Sequence, residues 1–398
     1  LWVLDHLEPI QEYAAAAQAT ADAKLFSVPN ALQWKFKDDR NDEFWGHQYF
    51  LGENPPADAV IQLHLKRTVP DLALRVSDAA GTFVRNIPVP STRNQPGIQT
   101  VCWDQRHEPI AATTAAAPAF GGGGRGGAGG GGAAGGGGRG GAGGGGVGAG
   151  AGQATAPVPG VPTPMPSAGY LPENPCGGGG GGGGGFGGGG GNAGPYVAPG
   201  VYTIALMAGD RELERKSMRI IMDPEVRFTP QERARYQAIL LDLHAMQQRA
   251  TPLQAALTSL QAQIDSVIQR TEASAAPASV KTQVATLKRD LDAVRPKFGV
   301  SAGGPALPGG AGGFPGGGGR GGAPADQTNV FARAGALKTA IGSIWEMPSA
   351  AMVSQYDAVR AELPRAITEA ERVLEQARRA SAALSAHSVT LTVPPSVR

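Results

Sequence analysis

Few residues in this chain have types and spacings that permit chemistry. They are six histidines, at 6, 47, 64, 107, 244 and 387, two cysteines, Cys102 and Cys176, and one tight group of charge, Asp104, Arg106, His107 and Glu108. A serine or cysteine hydrolase needs a nucleophile, a histidine and an acid that converge, and a glycosidase needs two carboxyls facing one bond. The group at 104–108 gathers acid, base and charge at a strand end and reads as a structural ion pair at a sheet edge. His64 falls mid-strand and His244 lies between the apolar positions of a helix, so both read as structural or solvent-facing. Nucleophile-elbow and His-Glu-X-X-His patterns are absent. Neither cysteine has a second Cys or a His at zinc-ligand spacing. No catalytic, cofactor or metal residue is therefore assigned. Cys102 in a strand and Cys176 beside a glycine run predict one buried and one exposed thiol, with a disulfide between them as the alternative.

The candidates for recognition lie elsewhere. Trp34, Trp45 and Tyr49 belong to an aromatic, charged strap that reads as an anchor buried against a neighbour, with a carbohydrate surface as the alternative. Arg125, Arg139 and Arg320 head Arg-Gly-Gly triplets in the Gly-rich segments. Three charges with few aromatics around them give little counterion release, so nucleic acid is not expected as a partner. No glycine run continues into a phosphate-loop Lys, and no Asp sits at repeat calcium spacing. The Gly-rich segments read as surface loops. The partner expected is another protein or a second copy of the chain, with carbohydrate as the alternative and the oligomeric state open.

The elements that must position these residues follow from periodicity. Residues 60–65, 72–76, 82–85, 99–103, 201–206 and, after a turn at Gly209-Asp210, 212–222 predict short strands, the first of them alternating with period two. Their number and spacing suggest an immunoglobulin-like β-sandwich over 57–226, interrupted by a Gly-rich insert at 117–197. From Tyr236 onward apolar residues recur at alternate spacings of three and four, a heptad seam. Thr229-Pro230 with Glu232 opens that helix, and the seam runs through Pro252 without a change of phase. One bent helix of about 44 residues, about 66 Å long, is expected, with two helices, the second capped at Thr251, as the alternative. Three further seams start near Val280, Val330 and Met352. The breaks at 275–278, 299–325 and near Pro348 are expected to reverse the chain, so that 227–386 forms an antiparallel bundle of coiled-coil-like hairpins with a Gly-rich loop at 299–325. In the tail 387–398, residues 389–393 alternate like a strand and are expected at the sandwich edge. The fold class is thus mixed and multidomain, an all-β sandwich followed by an α-helical bundle, with long Gly-rich loops.

Composition supports this organisation. Of 61 glycines in 398 residues, 41 lie in 121–200 and 12 in 301–322, so the remainder is ordinary globular sequence. A strict Gly-X-Y period is absent, which excludes collagen. The formal charge is only +2, so no global field favours nucleic acid or an anionic surface. No run of 18 apolar residues predicts a membrane span. The chain opens on Leu1-Trp2-Val3-Leu4-Asp5, strand-like with nothing upstream to pair with, and reads as the C-terminal piece of something longer.

Four runs in order carry a resemblance: Leu1-Trp2-Val3-Leu4-Asp5, Gly52-Glu53-Asn54-Pro55-Pro56, Val101-Cys102-Trp103-Asp104-Gln105-Arg106 and Ala198-Pro199-Gly200-Val201-Tyr202-Thr203. They resemble the C-terminal region of bacterial sortilin-like (VPS10-type) β-propeller proteins, often labelled glycosyl hydrolase-like or sialidase-like repeat proteins. The resemblance covers residues 1 to about 270. It implies a secreted or cell-surface protein whose residues 1–56 close an upstream propeller and strap onto the next module. It carries over no catalytic residue; the hydrolase label would belong to the missing propeller. The function expected of this chain is non-catalytic interaction and assembly. The alternatives are part of a carbohydrate-active enzyme, or an extracellular filament or matrix protein assembled through polyglycine.

Overall fold

A computed structural model describes residues 7–34, 57–111, 176, 192–301 and 327–394. All of these belong to one compact unit. In chain order the elements are α1 (Glu8–Gln18), β1 (Ala23–Leu25), β2 (Ala31–Gln33), β3 (Ala59–Leu65), β4 (Leu72–Asp78), β5 (Phe83–Pro88), β6 (Gly97–Trp103), β7 (Gly200–Ala208), β8 (Arg211–Met222), α2 (Pro230–Ala273), α3 (Ala278–Val294), α4 (Val330–Ser343) and α5 (Ala350–Ser385). The described residues thus form mixed β-sheets and five α-helices.

The strands form two sheets, one of three strands in the order β1-β3-β6 and one of five in the order β2-β8-β7-β4-β5. Every pairing is antiparallel except that of β2 with β8. Alternate residues of both sheets, among them Leu63, Leu74, Trp103, Ile204 and Ile220, share one apolar core. The expected boundary at residue 57 is too late, because β1 and β2 already belong to these sheets. Each is only three residues long, too short to display a period of two. His64 points away from the shared core, yet it is buried. Helix α1 covers the outer face of β3, and the Tyr13 ring meets the His64 ring edge-on at 5.6 Å.

The long insert leaves and re-enters the fold at a closed stem. Ile110 N donates to Asn192 O, His107 N to Pro195 O and Val197 N to Gln105 O, at 2.8–2.9 Å. Residues 192–197 therefore belong to the folded body and not to the insert. Gly194 is required there, since a Cβ would lie 2.0 Å from the His107 carbonyl oxygen. A further tie corrects the expectation of two free thiols: Cys102 and Cys176 form a disulfide. Cys102 lies between Val101 and Trp103, which point into the core. Period two therefore turns Cys102 to the outer face of β6, where it can meet residue 176.

Helix α2 runs unbroken through Pro252 for 44 residues. Its start is a capping box: Glu232 N donates to Thr229 Oγ1, and Thr229 N donates to the Glu232 carboxylate. These bonds hold the Glu232 carboxyl below its usual range. Thr229→Ala should cost about 1 kcal/mol, read as a lowered urea midpoint; an unchanged midpoint would show that the first turn is held by packing alone.

Contacts along α2 fix the direction of its neighbours. Glu272 meets Lys281 and Asp265 meets Lys288, Gln254 donates to Phe298 O, His244 meets Lys338, and Tyr236 donates to Ile341 O. Numbers rise along α3 and α4 as they fall along α2, so both helices run opposite to it and in the same sense as each other. Helix α5 is parallel to α2 and opposite to α3 and α4, with Tyr356 bonded to Asp242, Glu369 to Lys297 and Gln376 to Asp290. The break at 299–325 therefore does not reverse the chain. Instead α3, a 3-10 turn over Arg295–Phe298, and α4 follow one another as a single interrupted rod beside α2 and α5. Phe298 and Phe331 stack at 6.3 Å across the joint. Gly299 has φ +70, and a Cβ there would lie 2.4 Å from Asn329 Nδ2, the side chain that caps α4.

The C-terminal tail also differs from expectation. Residues 389–394 form no strand and pack on the helices, with Val389 and Leu391 in the helical core. Gln263 exchanges two hydrogen bonds with the Thr392 backbone, and Arg270 donates to Thr390 O. The alternating pattern buries one side of an extended segment, which a helical groove accepts as readily as a sheet edge does.

Candidate functional site

The densest set of polar side chains lies where the stem of the first insert sits on the helices. Trp103, fully buried, donates from Nε1 to Arg106 O and meets Tyr202 edge-on. Gln105 follows at φ +56, which turns the chain out of β6. Its amide then ties Leu32 O and Ala57 O together. The Arg106 guanidinium lies 3.7 Å above the Tyr196 ring and donates to Gly194 O. Tyr196 in turn rests against Trp345, ring centres 5.2 Å apart, and its carbonyl accepts from Gln237 of α2.

Two ionisable groups lie inside this contact. His244 of α2 is 4% exposed and Lys338 of α4 is 5% exposed. The His244 Nε2 is 2.8 Å from Glu108 O, and a carbonyl can only accept, so Nε2 carries the hydrogen. That leaves Nδ1 as an acceptor for Lys338 Nζ at 3.1 Å; Lys338 also donates to Ala193 O at 3.0 Å. Burial, with the Arg106 charge behind it, pulls Lys338 down to about 7. Burial and then the Lys338 charge pull His244 down to about 4, against the opposing effect of its bond to Glu108 O. An amine of this kind is chemically a base or nucleophile when a substrate can reach it. Here the nitrogen is turned to a protein carbonyl and an imidazole, and it ties α4 to the stem.

The group at 104–108 is brought to this contact, but its ion pair is made with a partner outside the group. Asp104 bonds Arg85 at 2.7 Å, while the Glu108 carboxylate accepts from Asn86 N. Burial lowers the His107 pKa. Trp34, which follows β2, is 42% exposed, so it does not act as a buried anchor. Trp45, Tyr49, Arg125, Arg139 and Arg320 lie outside the described residues. Sequence reading missed Lys338, Tyr196 and Trp345. Lys338 had a signal, since it stands four residues after Ala334 and three before Ile341, on the flank of the buried stripe.

An open cleft of about 330 Å³ lies where the linker into α2 meets the turn between α4 and α5, lined by Glu225, Arg227, Phe228, Glu232, Trp345, Glu346 and Met347. Its charges are mixed, and Glu232 is engaged in the helix cap. Among the described residues no group of three or more His, Cys, Asp or Glu could hold a metal ion, and no helix is long and apolar enough to cross a membrane. Comparison with protein-family models, curated proteins and solved structures finds no match.

Proposed function

We propose that this chain is a non-catalytic interaction and assembly region of a secreted or cell-surface protein, the part that follows a sortilin-like β-propeller. In this reading the two sheets are an immunoglobulin-like sandwich, the helices pack in coiled-coil fashion, and the first Gly-rich insert is the segment offered to a partner or to a second copy. The observation that carries the reading is the Cys102–Cys176 bridge. Structural disulfides persist in oxidising compartments, and this one fastens the insert covalently to the outside of a sheet. The closed stem at Ile110 and Asn192 supports it further, because a long loop with joined ends can be displayed without loosening the body.

Light scattering on the full chain and on a chain lacking residues 121–170 tests the proposal. The shorter chain keeps Cys176 and the stem. Self-association that is lost on deletion is the expected result, whereas identical masses for the two chains would remove the insert from assembly.

A further inference from the structure

We propose that the contact between the insert stem and the helices is an acid-operated latch, in which protonation of His244 at Nδ1 turns its hydrogen bond with Lys338 into a clash of two donors. The geometry carries the argument. Nε2–H is committed to Glu108 O, so the only site for an incoming proton is Nδ1, the atom that accepts from Lys338 Nζ. An imidazolium there has no lone pair to offer, and it faces an ammonium in a contact almost closed to water. The remaining charged and titratable groups nearby do not relieve it. Arg106 and His107 on the stem both oppose positive charge at this contact. The Glu108 carboxylate is turned away to Asn86 N.

Lifting the stem off α2 and α4 relieves the clash, because water then reaches both cations, and the stem's own hydrogen bonds lose that backing. The sign follows from linkage. His244 has its pKa lowered from 6.5 to about 4 in the closed form, so the open form binds the extra proton between those values. The His244 contribution to the closed latch is complete above pH 6.5 and is lost as the pH falls towards 4. Lys338, lowered from 10.5 to about 7, adds the same sign at higher pH. For His244 alone the opening equilibrium should rise about thirty-fold between pH 7.5 and pH 5. The elements released are those that hold the stem of the first insert, so the device would alter how that insert is carried. It does not depend on what the insert binds.

Hydrogen exchange on the full chain tests the latch. The stem amides of His107, Ile110 and Val197 are followed at pH 7.5 and pH 5, after correction for the intrinsic pH dependence of exchange. Protection at these amides should fall at least about thirty-fold, with the amides of Leu74 in the sheets and Leu260 in α2 unaffected. In His244→Gln, which keeps a neutral donor and acceptor at this place, the fall should shrink to the few-fold part that Lys338 supplies. In Lys338→Met it should be smaller, because the imidazolium no longer faces an ammonium. Stem protection that ignores pH would overturn the proposal, as would an equal fall in His244→Gln. A fall shared equally by Leu74 and Leu260 would also overturn it, since that is general acid unfolding. If His244→Gln fails to fold, the comparison of wild type with Lys338→Met still decides, and equal falls in those two chains would sink the latch.

Discussion

Replacing both Cys102 and Cys176 by serine should destabilise the chain by about 4 kcal/mol, the largest loss expected from any covalent tie in the described residues. The bridge joins positions 74 apart, and closing a loop of that size removes about that much chain entropy from the unfolded state. The loss is read as a drop in the urea midpoint with a steeper slope, since the unfolded chain without the bridge is less compact. The loop-length argument can be checked within the same experiment. In a chain lacking residues 121–170 the closed loop is shorter, so breaking the bridge should cost about 1 kcal/mol less. If the serine variant were as stable as the parent, the bridge would serve only to place residue 176.

Phe298→Ala should cost about 3–5 kcal/mol. Phe298 is fully buried where the 3-10 turn meets α4, its ring is stacked on Phe331, and its carbonyl is held by Gln254. The two halves of this rod are separated by a long stretch of sequence, so their alignment rests on the packing at the joint. Truncating the ring leaves a cavity between α2 and both halves of the rod, with no short connection to limit the damage. Far-UV circular dichroism during urea unfolding reads the loss, and a cost below about 1 kcal/mol would mean that the surroundings collapse into the space.

Much of this architecture could be read from the sequence, and the failures have physical causes. The seam residues Tyr236, Leu243, Leu257, Leu260 and Ile264 were identified and all are buried. The start of α2 at Thr229 and its passage through Pro252 were also legible, because caps and heptad phase are local signals. A seam states which face is buried but carries no direction. The shared sense of α3 and α4 therefore became visible only through pairs such as Asp265 with Lys288 and His244 with Lys338. The strands β1 and β2 were missed because three residues give no periodicity. The pairing of Cys102 with Cys176 depends on where distant residues come to lie, which spacing along the chain does not encode. The polar contact at His244 was half legible: the histidine was noticed, but its partners are a lysine from another helix and carbonyls of the stem, and carbonyls leave no mark in a sequence.

The bridge between β6 and residue 176 also decides how the chain carries a mechanical load. A pull applied at the two ends of the polypeptide passes from residue 102 to residue 176 through two sulfur atoms, and the residues between them bear no tension. At about 3.5 Å per extended residue, the 74 positions spanned by the bridge correspond to about 260 Å of contour length kept out of the load path. Reducing agents, and not stretching force, therefore decide whether that length can be drawn out.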